Sequence, residues 1–324
     1  MPEGETAFPV PSSAPPRTVR IREVGPRDGF QNEPEVIPTE RKVELIDALA
    51  RTGLRRLEVT SFVRPDVIPQ LADAAAVLGA IDVPDEVSIS VLIPNERGLE
   101  NALAILEQGS GERRAFDEVN VFLSASETHN RKNVNRSIAE SLQGVEAVLG
   151  RAREAGLRCE GVISTSFGCP YEGEVPLERV LDIAGRLRDA GAQEVGFGDT
   201  TGMANPLQVR EFFARAGQEL SGVELTAHFH NTRGQGLANV IGALESGVES
   251  FESSFGELGG CPVPAGATGN IATEDLVSML AEMGIETGIE LGALISCARR
   301  VQEILGRPLG SHTLVAGPVD WHRS

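Results

Sequence analysis

His228 and His230 are separated by one residue, and this spacing is the clearest sign of chemistry in the sequence. Alternate side chains of a β-strand project from the same face, so two imidazoles with Cα atoms about 7 Å apart can bind one metal ion. The alternative is that both are structural histidines held by hydrogen bonds. Because the pair lies at the end of a predicted strand, we favour metal binding.

Asp28 and Asn270 are the predicted oxygen ligands of the same metal. Asp28 follows the first β-branched segment of the chain, and Asn270 follows the last. These segments are neighbours if the chain closes into a barrel. Two imidazole nitrogens and two oxygens, with coordination positions left open, suit Mg²⁺ or Mn²⁺, while Zn²⁺, Co²⁺ and Fe²⁺ stay possible on ligand type alone.

Arg27 precedes one of these ligands and has two possible roles. Its fork-shaped guanidinium can hold a carboxylate or stabilise a developing enolate oxygen. The alternative is a salt bridge with Glu58 or Asp199 at the end of the barrel. We favour the role in chemistry, because a cation directed into a site that already contains carboxylates would balance their charge.

Cys261 lies in a loop flanked by glycine and followed by Pro262. Such a loop can move and bring a thiol over the mouth of a barrel, where the thiol would act as an acid or a base. The alternative is a small buried apolar side chain, which is the role that we predict for Cys159, Cys169 and Cys297. For Cys261 we favour chemistry.

Short β-branched segments alternate with longer segments of helical periodicity, a pattern typical of β/α units around a parallel sheet. Eight strands are predicted: Val19–Val24, Arg56–Ser61, Glu86–Ile93, Glu118–Ser124, Arg158–Thr165, Glu194–Thr200, Glu224–Asn231 and Ser250–Ser254. The fold class is therefore α/β, and the predicted architecture is a TIM (β/α)8 barrel. A two-domain Rossmann enzyme is the alternative, but no Gly-x-Gly-x-x-Gly follows an early strand.

The barrel places its active site at the carboxyl ends of the strands. Further polar residues fall at those ends: Gln31 in the first loop, Glu58 on the second strand and Asp199 at the end of the sixth. We expect them to point toward the same mouth as Arg27 and Asp28.

The 324 residues suit one barrel with extensions. Residues 1–18 are predicted to be a flexible N-terminal tail, 19–290 the barrel domain, and 291–324 an additional C-terminal helix and tail packed on the barrel. The formal net charge of −18 argues against a nucleic acid or an anionic membrane as a partner. Four scattered cysteines and an N-terminus unlike a signal peptide predict a cytoplasmic protein without disulfides.

Several phrases together resemble the 3-hydroxy-3-methylglutaryl-CoA lyase family between about Val19 and Gly306. They are Gly25-Pro-Arg-Asp-Gly-Phe-Gln-Asn-Glu33, Glu58-Val-Thr-Ser-Phe-Val63, Gly198-Asp-Thr200, His228-Phe-His230 and Gly259-Gly-Cys-Pro262. The resemblance implies that Mg²⁺ or Mn²⁺ is bound by Asp28, His228, His230 and Asn270. It also implies that Arg27 contacts the thioester carbonyl, that Cys261 is a catalytic thiol on a mobile loop, and that Asp28 can accept a proton. It further implies that the substrate is bound with the help of Gln31, Glu58 and Asp199.

The predicted function is a metal-dependent carbon–carbon lyase. It would cleave 3-hydroxy-3-methylglutaryl-CoA, or a close 3-hydroxy-acyl-CoA, to acetyl-CoA and acetoacetate or a related keto acid. The alternatives are a citramalyl-CoA lyase and a Claisen-type condensing synthase of the same barrel family, for which the chain is short. A thioester-binding barrel without activity is a third class. The expected partner is an acyl-CoA, and the resemblance makes a homodimer reasonable.

This chain departs from the family pattern at a few positions. Glu252 and Asn231 replace the usual aspartates, Gly196 replaces a serine, and Arg233 stands where tyrosine is common. We expect the additional arginine and the smaller residue to reshape the acyl site. Coenzyme A recognition is less visible, and the candidates for contacting its phosphates are Asn32, Arg131, Lys132 and Arg307.

Overall fold

The computed structural model describes residues 15–108, 114–260 and 268–320. Eight parallel strands close into a barrel in chain order, with the eighth strand paired to the first. They are β1 (Arg20–Glu23), β2 (Arg56–Ser61), β3 (Ser88–Leu92), β4 (Glu118–Ser124), β5 (Arg158–Ser164), β6 (Glu194–Asp199), β7 (Glu224–Phe229) and β8 (Ser250–Ser253). The predicted TIM barrel is confirmed, and β2 and β4 have the predicted bounds.

The helices surround the barrel and follow the strands that they cover. They are α1 (Thr39–Leu49), α2 (Ala74–Ala80), α3 (Glu96–Gln108), α4 (Glu127–Val134), α5 (Ile138–Glu154), α6 (Leu177–Asp189), α7 (Pro206–Glu219), α8 (Gly236–Leu244), α9 (Thr273–Glu282), α10 (Leu291–Leu305) and α11 (His312–Ala316). The additional helix α10 has the predicted bounds and packs against α1 and α9. In the described part of the chain, no helix combines the length and apolar character that a membrane span requires.

Local sequence signals explain where several helices begin. Ser137 and Glu140 form a reciprocal capping box at the start of α5, in which each side chain accepts a hydrogen bond from the other residue's backbone N–H. Asn205 caps α7 and is followed by Pro206, whose missing N–H costs nothing in the first turn. The outer layer is then held by apolar helix faces packed on the outside of the barrel.

The inside of the barrel holds a network of buried charges. Arg22 on β1 is 1% exposed, and its guanidinium donates to Glu252 at 2.8 Å, to Glu118 at 3.1 Å and to Glu194 at 3.3 Å. It also bonds to Glu160. Five strands therefore meet at a single cation.

We expect Arg22→Met to lower the free energy of unfolding by about 3–5 kcal/mol, because it leaves the buried Glu160 and Glu252 without an arginine partner. Urea denaturation measures this loss. The matched control is Arg20→Met on the same strand, whose side chain is 55% exposed and pairs with Glu224. That change should cost less than about 1 kcal/mol. Equal losses in the two variants would contradict the importance of the buried network.

Candidate metal centre at the barrel mouth

The loop after β1 brings Asp28 to the mouth of the barrel. Residues Gly25–Gly29 form one π-helical turn, in which the carbonyl of Val24 accepts from the backbone N–H of Asp28 at 2.7 Å and of Gly29 at 3.4 Å. Turns of this kind are rare and occur often at functional sites. A Cβ at Gly25 would lie 2.4 Å from the ring of Phe255, so only glycine fits there.

Glu23 joins this loop to the one that follows β8. The carboxylate is fully buried and accepts from the backbone N–H of Gly25 at 2.7 Å and of Phe255 at 3.1 Å. The hydroxyl of Thr273 donates to its second oxygen at 2.6 Å. One side chain thus fixes both segments from which the predicted oxygen ligands project.

Asp28 and Asn270 are in direct contact. The amide nitrogen of Asn270 donates to Asp28 Oδ2 at 2.7 Å and to the carbonyl of Leu258 at 2.9 Å. Gly259 permits this approach, since it has a φ of +92° and a Cβ there would lie 2.6 Å from the Asn270 amide nitrogen. The amide oxygen of Asn270, Oδ1, is buried and has no hydrogen-bond partner among the described residues.

His228 and His230 converge beside this pair. Their Nε2 atoms are 3.0 Å apart, and ligand atoms of Asp28, His228 and His230 all lie within 4.8 Å of one another. His228 Nδ1 is engaged with Glu252 Oε2 at 2.8 Å, which leaves its Nε2 for another partner. His230 lies one residue beyond the end of β7, which stops at Phe229 and not at the predicted Asn231.

These residues fit a divalent ion. Adjacent ligands of an octahedral ion at about 2.1 Å are about 3.0 Å apart, and this is the separation of the two Nε2 atoms. The buried Oδ1 of Asn270 lacks a partner in the described part of the chain. A buried oxygen of this kind is costly unless something binds it. The site therefore offers two nitrogens, a carboxylate and an amide oxygen.

The electrostatics of the site favour the metal-binding protonation state of two predicted ligands, His230 and Asp28. Burial and the neighbouring His228 lower the pKa of His230 to about 3, so its ring is neutral at physiological pH. Burial opposes ionisation of Asp28, but the positive charge of Arg27, helped by the hydrogen bond from Asn270, outweighs it and lowers the pKa of Asp28. Metal ligands must be deprotonated, and His230 and Asp28 meet that condition without the help of high pH. The hydrogen bond and charge of Glu252 outweigh burial and raise the pKa of His228, so this ligand would release a proton when a metal binds.

Arg27 is held beside the ligands by two carboxylates. Its Nε donates to Glu58 Oε2 at 2.6 Å, and its Nη1 donates to Asp28 Oδ1 at 2.7 Å. Asn120 donates to the other oxygen of Glu58 at 2.8 Å, and Gln31 donates to Asp28 Oδ1 at 2.5 Å. The salt bridge to Glu58, which we gave as the alternative role of Arg27, is present. It also fixes the guanidinium at the mouth, so the two roles are compatible.

Glu58 and Asp199 are buried carboxyl groups in different surroundings. Burial raises the pKa of Glu58, and the charge of Arg27 opposes the shift. Burial also raises the pKa of Asp199 to about 6, although the backbone N–H groups of Met203 and Ala204 donate to it at 2.7 Å and 3.2 Å. Asp199 thus shapes the loop after β6.

Cys261, the predicted catalytic thiol, lies outside the described residues.

The departures from the family pattern have specific contacts. Arg233 donates to the carbonyls of Thr201 and Gly202, both at 2.8 Å, and so ties the loop after β7 to the loop after β6. A Cβ at Gly196 would lie 2.9 Å from a carboxylate oxygen of Glu160 inside the barrel. These contacts lie within the protein and give no support to a reshaped acyl site.

The four candidates for contacting coenzyme A phosphates also have partners. Asn32 donates to the carbonyl of Gly260 at 2.6 Å, and Arg307 pairs with Glu33 at 2.5 Å. The Lys132 ammonium lies 4.9 Å from the centroid of the Tyr171 ring. Arg131 pairs with Glu127 at 2.8 Å along α4.

Sequence reasoning missed the partners behind the site. Glu252 was identified only as a departure from the family pattern, although it bonds to the predicted ligand His228. Asn120, which donates to Glu58, was not predicted. The alternation of side chains along the predicted strands could have indicated Glu252, since it is paired in register with His228 on the neighbouring strand.

The chain is similar to known proteins in both sequence and structure. The HMGL-like family matches residues 18–301. Hydroxymethylglutaryl-CoA lyase YngG of Bacillus subtilis is 47% identical over 299 residues, which cover 92% of this chain and 97% of the relative. The crystal structure of the HMG-CoA lyase of Bacillus subtilis has a TM-score of 0.89 and 46% identity, and the match covers 94% of this chain and 99% of that one. An HMG-CoA lyase of Acinetobacter baumannii, solved with coenzyme A and 3-methylmalate, has a TM-score of 0.88 and 38% identity, with coverage of 95% and 98%.

We expect His230→Ala to abolish specific binding of Mn²⁺, because it removes a neutral imidazole from the converging set. Isothermal titration with Mn²⁺ measures the affinity. His312→Ala is the control, since this histidine side chain is 85% exposed at the start of α11. Retention of tight Mn²⁺ binding by His230→Ala, or its loss in His312→Ala, would contradict the site.

Proposed function

The chain belongs to the HMGL-like family, and from this premise we propose that it is a divalent-metal-dependent carbon–carbon lyase acting on 3-hydroxy-3-methylglutaryl-CoA. The products are acetyl-CoA and acetoacetate. The observation that carries the proposal is the convergence of the ligand atoms of Asp28, His228 and His230 beside the guanidinium of Arg27. Close relatives named as HMG-CoA lyases support the choice of substrate.

Asp28, His228, His230 and Asn270 would hold the ion, and we propose Mg²⁺ or Mn²⁺ because half of the ligand set is oxygen. When bound, the ion makes the tertiary hydroxyl of the substrate more acidic. Asp28 is the candidate acceptor of that hydroxyl proton, since its lowered pKa keeps it ionised and its position adjoins the ion site.

Arg27 stabilises the enolate of acetyl-CoA that leaves when the carbon–carbon bond breaks. Its guanidinium is held in advance by Glu58 and Asp28, and its side chain is only 11% exposed. A preorganised cation of this kind stabilises charge as it develops and needs no reorganisation during the reaction. Gln31 helps to orient Asp28 by donating to the same oxygen, Oδ1, that Arg27 contacts. Cys261 is the proposed acid that delivers a proton to the enolate carbon.

An acyl-CoA is the proposed partner, and the Acinetobacter baumannii relative solved with coenzyme A supports it. We also propose a homodimer, which sedimentation velocity tests, and a cytoplasmic location. The three described cysteines are free and buried.

The function is tested by incubating the purified protein with Mg²⁺ and 3-hydroxy-3-methylglutaryl-CoA and measuring acetoacetate. We expect turnover that is lost with EDTA and restored with excess Mg²⁺ or Mn²⁺. Citramalyl-CoA is assayed in parallel for pyruvate. Formation of pyruvate without acetoacetate would favour the citramalyl-CoA alternative, and cleavage of neither thioester would overturn the lyase assignment.

We expect Arg27→Lys to lower kcat by about 10²–10³-fold, because a point charge cannot replace the planar fork that faces the developing oxyanion. Steady-state kinetics on 3-hydroxy-3-methylglutaryl-CoA give kcat and KM separately. Arg41→Lys is the control, since this arginine is 53% exposed on α1 and pairs with Glu44. A kcat within threefold of the parent for Arg27→Lys would contradict the role of Arg27.

A further inference from the structure

We infer that Glu252 is a positioning residue of the metal centre and that the buried guanidinium of Arg22 holds it in place. The inference rests on the metal site proposed above. Three side chains on neighbouring strands form a continuous path across the barrel interior: Arg22 on β1, Glu252 on β8 and His228 on β7. The strand register pairs Arg22 with Glu252 and Glu252 with His228.

Both carboxylate oxygens of Glu252 are used along this path. Oε1 accepts from Arg22 Nη1 at 2.8 Å, and Oε2 lies 2.8 Å from His228 Nδ1. The side chain of Glu252 is 4% exposed, and that of Arg22 is fully buried. Water therefore has little access to either contact, and each partner must satisfy the other.

The contact with Glu252 decides which nitrogen of His228 carries the proton. An ionised carboxylate can only accept, so His228 Nδ1 must be the donor. In the neutral ring, the form in which histidine binds a metal, Nε2 then keeps its lone pair, and this is the atom that lies 3.0 Å from Nε2 of His230. Carboxylates that orient metal-binding histidines in this way affect metal affinity although they never touch the metal.

Arg22 supports the position of Glu252 and also has a separate structural role. It holds Oε1 of Glu252, which leaves Oε2 for His228. Its other partners, Glu118, Glu160 and Glu194, fill the interior between β4, β5 and β6. Glu118 resembles Glu252 in burial and in its bond to Arg22, but it bonds to Arg56 and Ser88 where Glu252 bonds to His228. Positioning and structural support can therefore be separated by mutation.

The experiment compares Mn²⁺ affinity in the full-length parent, Glu252→Gln and Glu118→Gln, measured by isothermal titration and by the EPR signal of free Mn²⁺. Glutamine has one acceptor oxygen and cannot serve both Arg22 and His228. We expect Glu252→Gln to weaken Mn²⁺ binding by about 10–100-fold. Glu118→Gln likewise removes one carboxylate from Arg22, so it should lower Tm. It should leave the Mn²⁺ affinity within about twofold of the parent, because Glu118 bonds to Arg56 and Ser88 and not to His228.

Glu252→Asp provides a second variant if Glu252→Gln does not fold. Aspartate keeps the charge but is one methylene shorter, so we expect its Mn²⁺ affinity to fall between those of the parent and the glutamine variant. Parent-like affinity in Glu252→Gln, or in Glu252→Asp where only that variant folds, would overturn the inference. Equal weakening in Glu252→Gln and Glu118→Gln would do so as well. Failure of the parent to bind Mn²⁺ would be a different result, because it would remove the proposed metal site itself.

Discussion

The buried cation of Arg22 is the interaction on which the rest of the barrel depends. Taking a guanidinium out of water is costly unless carboxylates surround it, and here they come from four other strands. Each strand must present its glutamate at one level of the barrel. A shift of one residue would turn that side chain to the outer face, where apolar helices pack. The charges therefore help to specify the register of a sheet whose outer contacts are otherwise similar along its circumference.

The same strand connects this interior to the loops at the mouth. Arg22 points into the barrel, so the next residue, Glu23, points to the opposite face, where it accepts hydrogen bonds from the loops after β1 and β8. Burial raises the pKa of Glu23 to about 7. Two adjacent residues thus position both the interior network and the segments carrying Asp28 and Asn270.

Periodicity and motif spacing predicted the barrel well because each β/α unit carries its own local signal. β2 and β4 match the predicted bounds, and the capping residues before α5 and α7 mark their starts. Spacing alone also anticipated that His228 and His230 would share a face. These features depend on residues close together in the chain, and local patterns describe them fully.

Local sequence patterns could not predict the network of charges inside the barrel or the π-helical turn after β1. A glutamate such as Glu118 or Glu160 at an alternate strand position has the pattern of a solvent-facing residue, and only closure of the barrel buries it. Arg22 meets partners up to 230 positions away, and Glu23 meets Thr273 across 250. Such pairings follow from the closed circle of strands. The sequence therefore identified the residues that converge at the barrel mouth better than the residues that orient them.

Local charge balance explains how a protein with a net charge of −18 can accept an anionic thioester. Charges on the surface are screened beyond about 8 Å at physiological salt, so the groups at the mouth decide the local potential. There Arg27 offsets part of the charge of Asp28 and Glu58, and a divalent ion would add two positive charges. The negative charge of Glu252 would reduce this positive potential, since its carboxylate contacts the predicted ligand His228. Because its other oxygen pairs with Arg22, Glu252 can orient His228 while part of its negative charge is offset beside the proposed metal site.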